Sequence, residues 1–237
     1  MSSSSLRVET KTLLRAVVFD FDGVIADSEP LHLRAYQDVL APRGIALRAD
    51  DYYARYLGFA DDGAFRRIGE DTGRRWTDAD LRALVAEKAS RFEEIEHEMS
   101  TLFPGAAEAV RRIAAEVPIA IASGARGDEI RRVLEREALS DLFTAIVSAD
   151  DTRTSKPAPD PYLHAIARLS ARLGPIAAAD CVAIEDSVWG IESARAAGLR
   201  TVAVTHSYKA AELASADRVL ASIAAVDVEM LRSLCSM

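Results

Sequence analysis

Four apolar residues in a row, Ala16-Val17-Val18-Phe19, run straight into Asp20-Phe21-Asp22-Gly23, and that junction restricts the folds open to the chain. An apolar run this short, closed by a glycine turn, suits a strand covered on both faces, as in parallel sheets. In open parallel sheets ligands gather beyond the carboxyl ends of strands, which is where this run places two carboxylates. On a strand, residues two apart point to the same side, so the carboxylates of Asp20 and Asp22 would face one small volume. Their mutual repulsion then calls for a cation or a proton. A solvated turn after a strand is the alternative reading of the same residues.

Short apolar runs of this kind recur at 118–122, 145–148, 181–184, 201–205 and, more weakly, 218–221, alternating with helix-length amphipathic segments. The alternation predicts an α/β fold, a doubly wound parallel-sheet Rossmann-like core. Between the first two runs the chain has helical spacing without strand alternation, which predicts an inserted all-helical cap. Its longest helix is expected to open at Thr77, with Asp80 completing a capping box. Leu81, Leu84, Val85, Phe92 and Ile95 would form its buried stripe, with Trp76 packed against it. Leu102-Phe103-Pro104-Gly105 ends the pattern. The expected division is a disordered tail at 1–15, a core at 16–31 and 104–237, and a helical cap at 32–103.

A chain of 237 residues, 49% hydrophobic and 28% charged, can bury a sizeable core. Its formal charge of -8 offers no basic footprint for nucleic acid or an anionic membrane. No stretch approaches the roughly 20 apolar residues of a membrane span. The serine-rich start lacks the apolar core of a secretory signal, so cytoplasm is the expected compartment. Cys181 lies inside an apolar run and Cys235 near the C-terminus, which suits buried thiols better than a disulfide framework or a metal site.

Three further strand ends carry polar groups. Ile119-Ala120-Ile121-Ala122 stops at Ser123-Gly124, ahead of a helix with Ile130, Val133 and Leu134 on one face. A hydroxyl, glycine-freed amides and a helix dipole together make a phosphate-sized anion cradle; a capping serine is the simpler alternative. Lys156 precedes Pro157, which disfavours helix at the lysine, and Asp160-Pro161 opens the next helix. The chain has four lysines against 25 arginines (29 basic residues less four). That bias favours a specific need for a compact ammonium at position 156, the alternative being a solvated lysine. Cys181-Val182-Ala183-Ile184 runs into Glu185-Asp186-Ser187, a second acidic pair, before a helix that Gly198 closes. Acidic residues at a helix start are the plainer explanation of that pair.

Set in order, Asp20-Phe21-Asp22-Gly23-Val24-Ile25-Ala26-Asp27-Ser28, Ser123-Gly124, Lys156-Pro157 and Glu185-Asp186-Ser187 resemble the four motifs of the haloacid dehalogenase-like phosphohydrolase superfamily. Glu29-Pro30-Leu31-His32 and the helical insertion are similar to its subfamily with a small helical cap, which includes phosphoglycolate phosphatases, sugar phosphatases and beta-phosphoglucomutases. The resemblance implies that Asp20 is a nucleophile forming an aspartyl-phosphate, and Asp22 the general acid and later base. It implies Mg2+ held by Asp20, the backbone carbonyl of Asp22 and Asp186, with Glu185 a direct or water-mediated ligand. Ser123 and Lys156 would hold phosphoryl oxygens. Gly23, Gly124 and Arg126 on the core side, and Glu29, His32 and Gly58 on the cap side, are the implied substrate contacts. Arg126 as a solvated side chain and His32 as a structural histidine are the alternatives there.

The implied function is hydrolysis of a small phosphorylated metabolite, a sugar phosphate or phosphoglycolate-like ester, by a monomer. A beta-phosphoglucomutase-like phosphomutase is the alternative, and a noncatalytic phosphometabolite-binding protein a third. Asp22 favours phosphate-ester chemistry, because an alkoxide leaving group needs a proton. Beta-phosphoglucomutases typically carry Lys just before the cap-loop glycine and Arg three residues after it; Leu57 and Asp61 stand there in this chain, which speaks against mutase activity.

Overall fold

The structure, a computed structural model, describes residues 13–57, 59–98 and 100–236, so Gly58 and residues 1–12 of the expected tail lie outside it. Two compact units form, one from Met1–Asp27 with Leu102–Met237, the other from Ser28–Thr101. Both chain crossings thus fall a few residues earlier than the sequence suggested, and Ser28 to Leu31 belong to the helical unit because helix begins at Glu29. No helix among the described residues is long and apolar enough to cross a membrane.

The helical unit contains α1 (Glu29–Leu40), α2 (Ala49–Arg55), α3 (Asp61–Asp71) and α4 (Asp78–Glu98). At the start of α4 the Thr77 N–H donates to Asp80 Oδ2 at 2.8 Å and the Asp80 N–H to Thr77 Oγ1 at 3.2 Å, a reciprocal capping box. Leu81 and Leu84 of α4 join Tyr36, Leu40, Phe65 and Ile68 in one cluster. Trp76 joins it too, its ring edge-on to Phe65 and over Gly69, where a Cβ would approach the indole to 2.9 Å.

The other unit is built on one parallel sheet of β1 (Ala16–Phe19), β2 (Ile119–Ala122), β3 (Phe143–Val147), β4 (Cys181–Glu185), β5 (Arg200–Val204) and β6 (Arg218–Leu220). Every run expected to be a strand is one. Their order is β3-β2-β1-β4-β5-β6. These strands alternate in side-chain size rather than polarity. Val17, Phe19, Ile119, Ile121, Val182 and Ile184 face one helical layer, while Ala16, Val18, Ala120, Ala122 and Ala183 face the other. The first layer comprises α5 (Ala106–Ala114), α6 (Gly127–Arg136) and α9 (Val228–Cys235); the second comprises α7 (Asp160–Leu173) and α8 (Val188–Ala196). Small residues on the second face leave room for the fully buried Tyr162 of α7. Each large aliphatic or Phe side chain buried this way contributes roughly 1.5–3 kcal/mol.

Strand order reverses between β1 and β4. Successive strands are added outward from β1 on one side and from β4 on the other, so the loops leaving these two neighbours part company. A crevice at their carboxyl ends is the general consequence. The apolar run before Asp20 and the one before Asp186 are therefore neighbours in the sheet, with Phe19 opposite Ile184.

Candidate active site

Asp20 follows directly on β1, and its N–H extends the ladder to the Ile184 carbonyl at 2.9 Å. Its Oδ1 accepts from the Phe21 N–H at 2.7 Å and from Lys156 Nζ at 2.9 Å. Lys156 also reaches Glu185 Oε1 at 2.7 Å, to which the Tyr162 hydroxyl donates at 2.7 Å as well. Glu185, at the end of β4, is fully buried, and its other oxygen accepts from the Asp186 N–H and the Ser187 hydroxyl, both at 3.2 Å. Ser187 caps α8 by accepting from the Gly190 N–H at 3.0 Å. Carboxylate oxygens of Asp20, Glu185 and Asp186 all lie within 4.8 Å of one another.

Backbone without side chains makes this density possible. A Cβ on Gly190 would fall 1.9 Å from Glu185 Cδ, and one on Gly23 would fall 2.0 Å from Asp186 Oδ2. Gly23 also has φ of +76°, the left-handed region that disfavours any Cβ.

The cluster is short of positive charge. One ammonium faces three carboxylates, which leaves a formal charge of about -2. Burial, then the charge of Glu185, pushes the Asp20 carboxyl well above the usual range despite Lys156. Burial also raises Asp186 to about 6, against a Ser207 hydrogen bond that favours its charged form. For Lys156, burial works against the ammonium, but Asp20 and Glu185 outweigh it and hold it charged above the ordinary lysine range. Three clustered oxygen donors with a charge deficit suit a hard divalent cation such as Mg2+.

At the end of β2, Ser123 is buried, donates its N–H to Val147 O at 3.0 Å and accepts from the Ala125 N–H at 3.1 Å. Ser123, Gly124 and Lys156 line one cavity of about 310 Å3, together with Thr152, Arg153 and Ser155. Lys156 thus spans from the cavity it shares with Ser123 to Asp20 and Glu185, whose carboxylates cluster with that of Asp186.

The structure places the other expected residues as follows. Strand geometry ends at Phe19, so the alternation expected through Asp22 does not hold; Asp22 is exposed and its carboxylate is not part of the acidic cluster. Gly124 lines the cavity beside Ser123, and a Cβ there would meet no protein atom within 4 Å. Arg126 is exposed and paired with Asp128 at 3.1 Å, outside the cavity lining. Gly23 sits against Asp186, a support for the carboxylate cluster. Gly58 lies outside the described residues.

Glu29 and His32 have partners inside the helical unit. Tyr52 donates to Glu29 Oε2 at 2.7 Å. His32 stacks on Phe92 with centroids 4.3 Å apart, and its Nδ1 lies 2.7 Å from Lys88 Nζ. Lys88 is buried and binds both Asp61 oxygens, at 2.8 and 3.0 Å, while Tyr36 donates to Asp61 Oδ1 at 2.6 Å. An ammonium can only donate, so His32 Nδ1 accepts. Burial, then the Lys88 charge, lowers His32 to about 4.

Tyr162, Lys88, Arg153, His206 and Ser207 escaped the sequence reading. Lys88 had a signal: it falls four residues after Leu84 and four before Phe92, on the stripe of α4. Tyr162 looks like any core aromatic until its hydroxyl is seen to have a partner.

An open α/β sheet with carboxylates, an ammonium and a hydroxyl gathered at its switch point is the architecture of an α/β enzyme. The chain belongs to the haloacid dehalogenase-like hydrolase family, whose model matches residues 17–204. It is 31% identical over 199 residues to hexitol phosphatase B of Escherichia coli strain K12, covering 83% of this chain and 86% of the relative. It is 30% identical over 198 residues to the beta-phosphoglucomutase of Bacillus subtilis strain 168, covering 81% and 83%. The crystal structure of CbbY from Rhodobacter sphaeroides in complex with phosphate superposes with a TM-score of 0.68 at 25% identity, covering 90% of this chain and 96% of that one.

Proposed function

We propose that this chain is a Mg2+-dependent phosphatase that hydrolyses a small sugar phosphate or similar phosphorylated metabolite through an aspartyl-phosphate on Asp20. The observation that carries the reading is the position of Lys156, 2.9 Å from Asp20, 2.7 Å from Glu185 and on the wall of the cavity it shares with Ser123. Asp20 attacks phosphorus while Lys156 and the Phe21 N–H fix the rotation of its carboxylate. The Ser123 hydroxyl and Lys156 hold phosphoryl oxygens. Exposed Asp22 gives a proton to the departing alkoxide and later takes one from the water that hydrolyses the acyl phosphate. Asp20, Asp186, the Asp22 carbonyl and Glu185 would hold Mg2+. When bound it would offset the cluster's charge deficit and weaken repulsion between Asp20 and a phosphate dianion.

A mutase reading has one observation in its favour, the similarity to a beta-phosphoglucomutase. Against it stands Asp61, whose carboxylate is taken up by Lys88 and Tyr36; a carboxylate so placed is no grip for a second phosphate. The test is phosphate release from a panel of phosphorylated sugars and acids with Mg2+, with Asp20→Asn as control. Release by the native chain alone is expected. Isomerisation of a hexose 1-phosphate with little net phosphate, or no release from any ester, overturns the phosphatase reading.

A further inference from the structure

His206, in the loop after β5, joins four segments of the sheet-bearing unit. Its Nδ1 lies 2.8 Å from the Gly23 carbonyl oxygen, and its Nε2 accepts from the Ile223 N–H at 3.4 Å. A carbonyl on one side and an N–H on the other assign the neutral tautomer with the proton on Nδ1. The imidazole is stacked on Phe103, centroids 3.9 Å apart and planes at 22°. Phe103 in turn donates its N–H to Ile25 O at 3.0 Å.

Gly23 is the soft point of the turn that carries Asp22. Its N–H binds Ala26 O at 2.9 Å, and the Ile25 and Ala26 N–H groups both converge on Phe21 O, at 2.8 and 2.9 Å. One peptide plane at Gly23 carries the Asp22 carbonyl; the other carries the Gly23 carbonyl that His206 holds. Glycine resists rotation about φ and ψ less than any other residue, so the relation between these planes needs an external restraint. Ser207, the next residue, hydrogen-bonds Asp186, whose carboxylate rests against the Cα of Gly23.

We propose that His206 is a positioning residue for the reaction: its Nδ1–H, held to the Gly23 carbonyl, locks the Asp22–Gly23 turn in register with the Asp186 carboxylate. The proposal rests on the phosphatase reading for its catalytic consequence. The clamp itself can be read without turnover.

His206→Phe keeps a ring for Phe103 and removes both hydrogen bonds. His206→Asn keeps a donor near the Nδ1 position. Hydrogen exchange of the Ile25 and Ala26 amides is expected to speed up about tenfold in the Phe variant and to stay native in the Asn variant. The Mg2+ concentration giving half the maximal thermal shift is expected to rise about tenfold, and kcat to fall roughly 10–100-fold, in the Phe variant. Its KM should stay within about threefold, and the Asn variant should recover most of kcat. Native exchange and Mg2+ affinity in His206→Phe overturn the proposal. So does an Asn variant as impaired as Phe with an equal loss of melting temperature, the signature of fold support alone. If the native chain releases no phosphate, the phosphatase reading fails, while the exchange and Mg2+ measurements still decide the clamp.

Discussion

Gly190 is the third residue of α8, where helix propensity favours alanine over glycine by about 1 kcal/mol. The structure reverses that sign. A Cβ would stand 1.9 Å from Glu185 Cδ and 2.0 Å from Oε2, so the carboxylate would need to retreat about 1.5 Å to reach ordinary contact near 3.5 Å. Glu185 has no solvent to retreat into and is bound by Lys156, Tyr162, Ser187 and the Asp186 N–H. Overpacking costs about 1–3 kcal/mol, and loss of one charge-assisted hydrogen bond a further 1.5–3 kcal/mol or so. Less the propensity gain, Gly190→Ala should destabilise by roughly 3 kcal/mol, a fall in melting temperature of about 6–12 °C for a chain of this size. In a Glu185→Ala background the obstruction is gone, and the same change should be neutral or slightly stabilising. Melts of the four proteins by circular dichroism provide the cycle. An equal penalty in both backgrounds, or stabilisation of the otherwise native chain, would mean that Glu185 does not oppose a Cβ at position 190.

Two further outcomes follow from charges. His32 has a pKa lowered to about 4 against ~6.5 unfolded, so between these values the unfolded chain binds the extra proton and stability is lost as pH falls from about 6.5 toward 4. Comparing urea unfolding at pH 7 and pH 5, the native chain should lose roughly 2 kcal/mol more than His32→Asn; equal losses would remove His32 as the cause. Saturating Mg2+ should raise the melting temperature, by an amount set by roughly 2.7 kcal/mol at a hundredfold excess over Kd. Asp186→Asn should abolish most of that rise, and a full Mg2+ response in the variant would place the cation elsewhere.

The strand ends were legible because they are local. A run of four or five apolar residues closed by Asp, Ser or Glu is recognisable without knowing its neighbours, and β1, β2 and β4 with Asp20, Ser123 and Glu185 are such runs. At Asp22 the same locality is a limit: period-two reasoning holds only while the strand lasts, and β1 stops at Phe19, so the pattern does not fix where the Asp22 carboxylate points. Lys88 stands on an apolar stripe, a setting in which the pattern alone points only to core. Its burial is tolerable because Asp61 and His32, 27 and 56 residues away in sequence, supply partners at 2.8 and 2.7 Å.

Local sequence sets which segments become strands, which helices separate them and which polar group stands at each strand end, since backbone propensity and short-range patterning act over a few residues. Tertiary structure alone decided that β1 and β4 are neighbours, that one ammonium lies between Asp20 and Glu185, and that glycines at 23 and 190 make room for the carboxylates. Several of those outcomes join residues more than a hundred positions apart, Asp20 to Lys156 and Gly23 to Asp186 among them. Only the close packing of a completed sheet sets such distances.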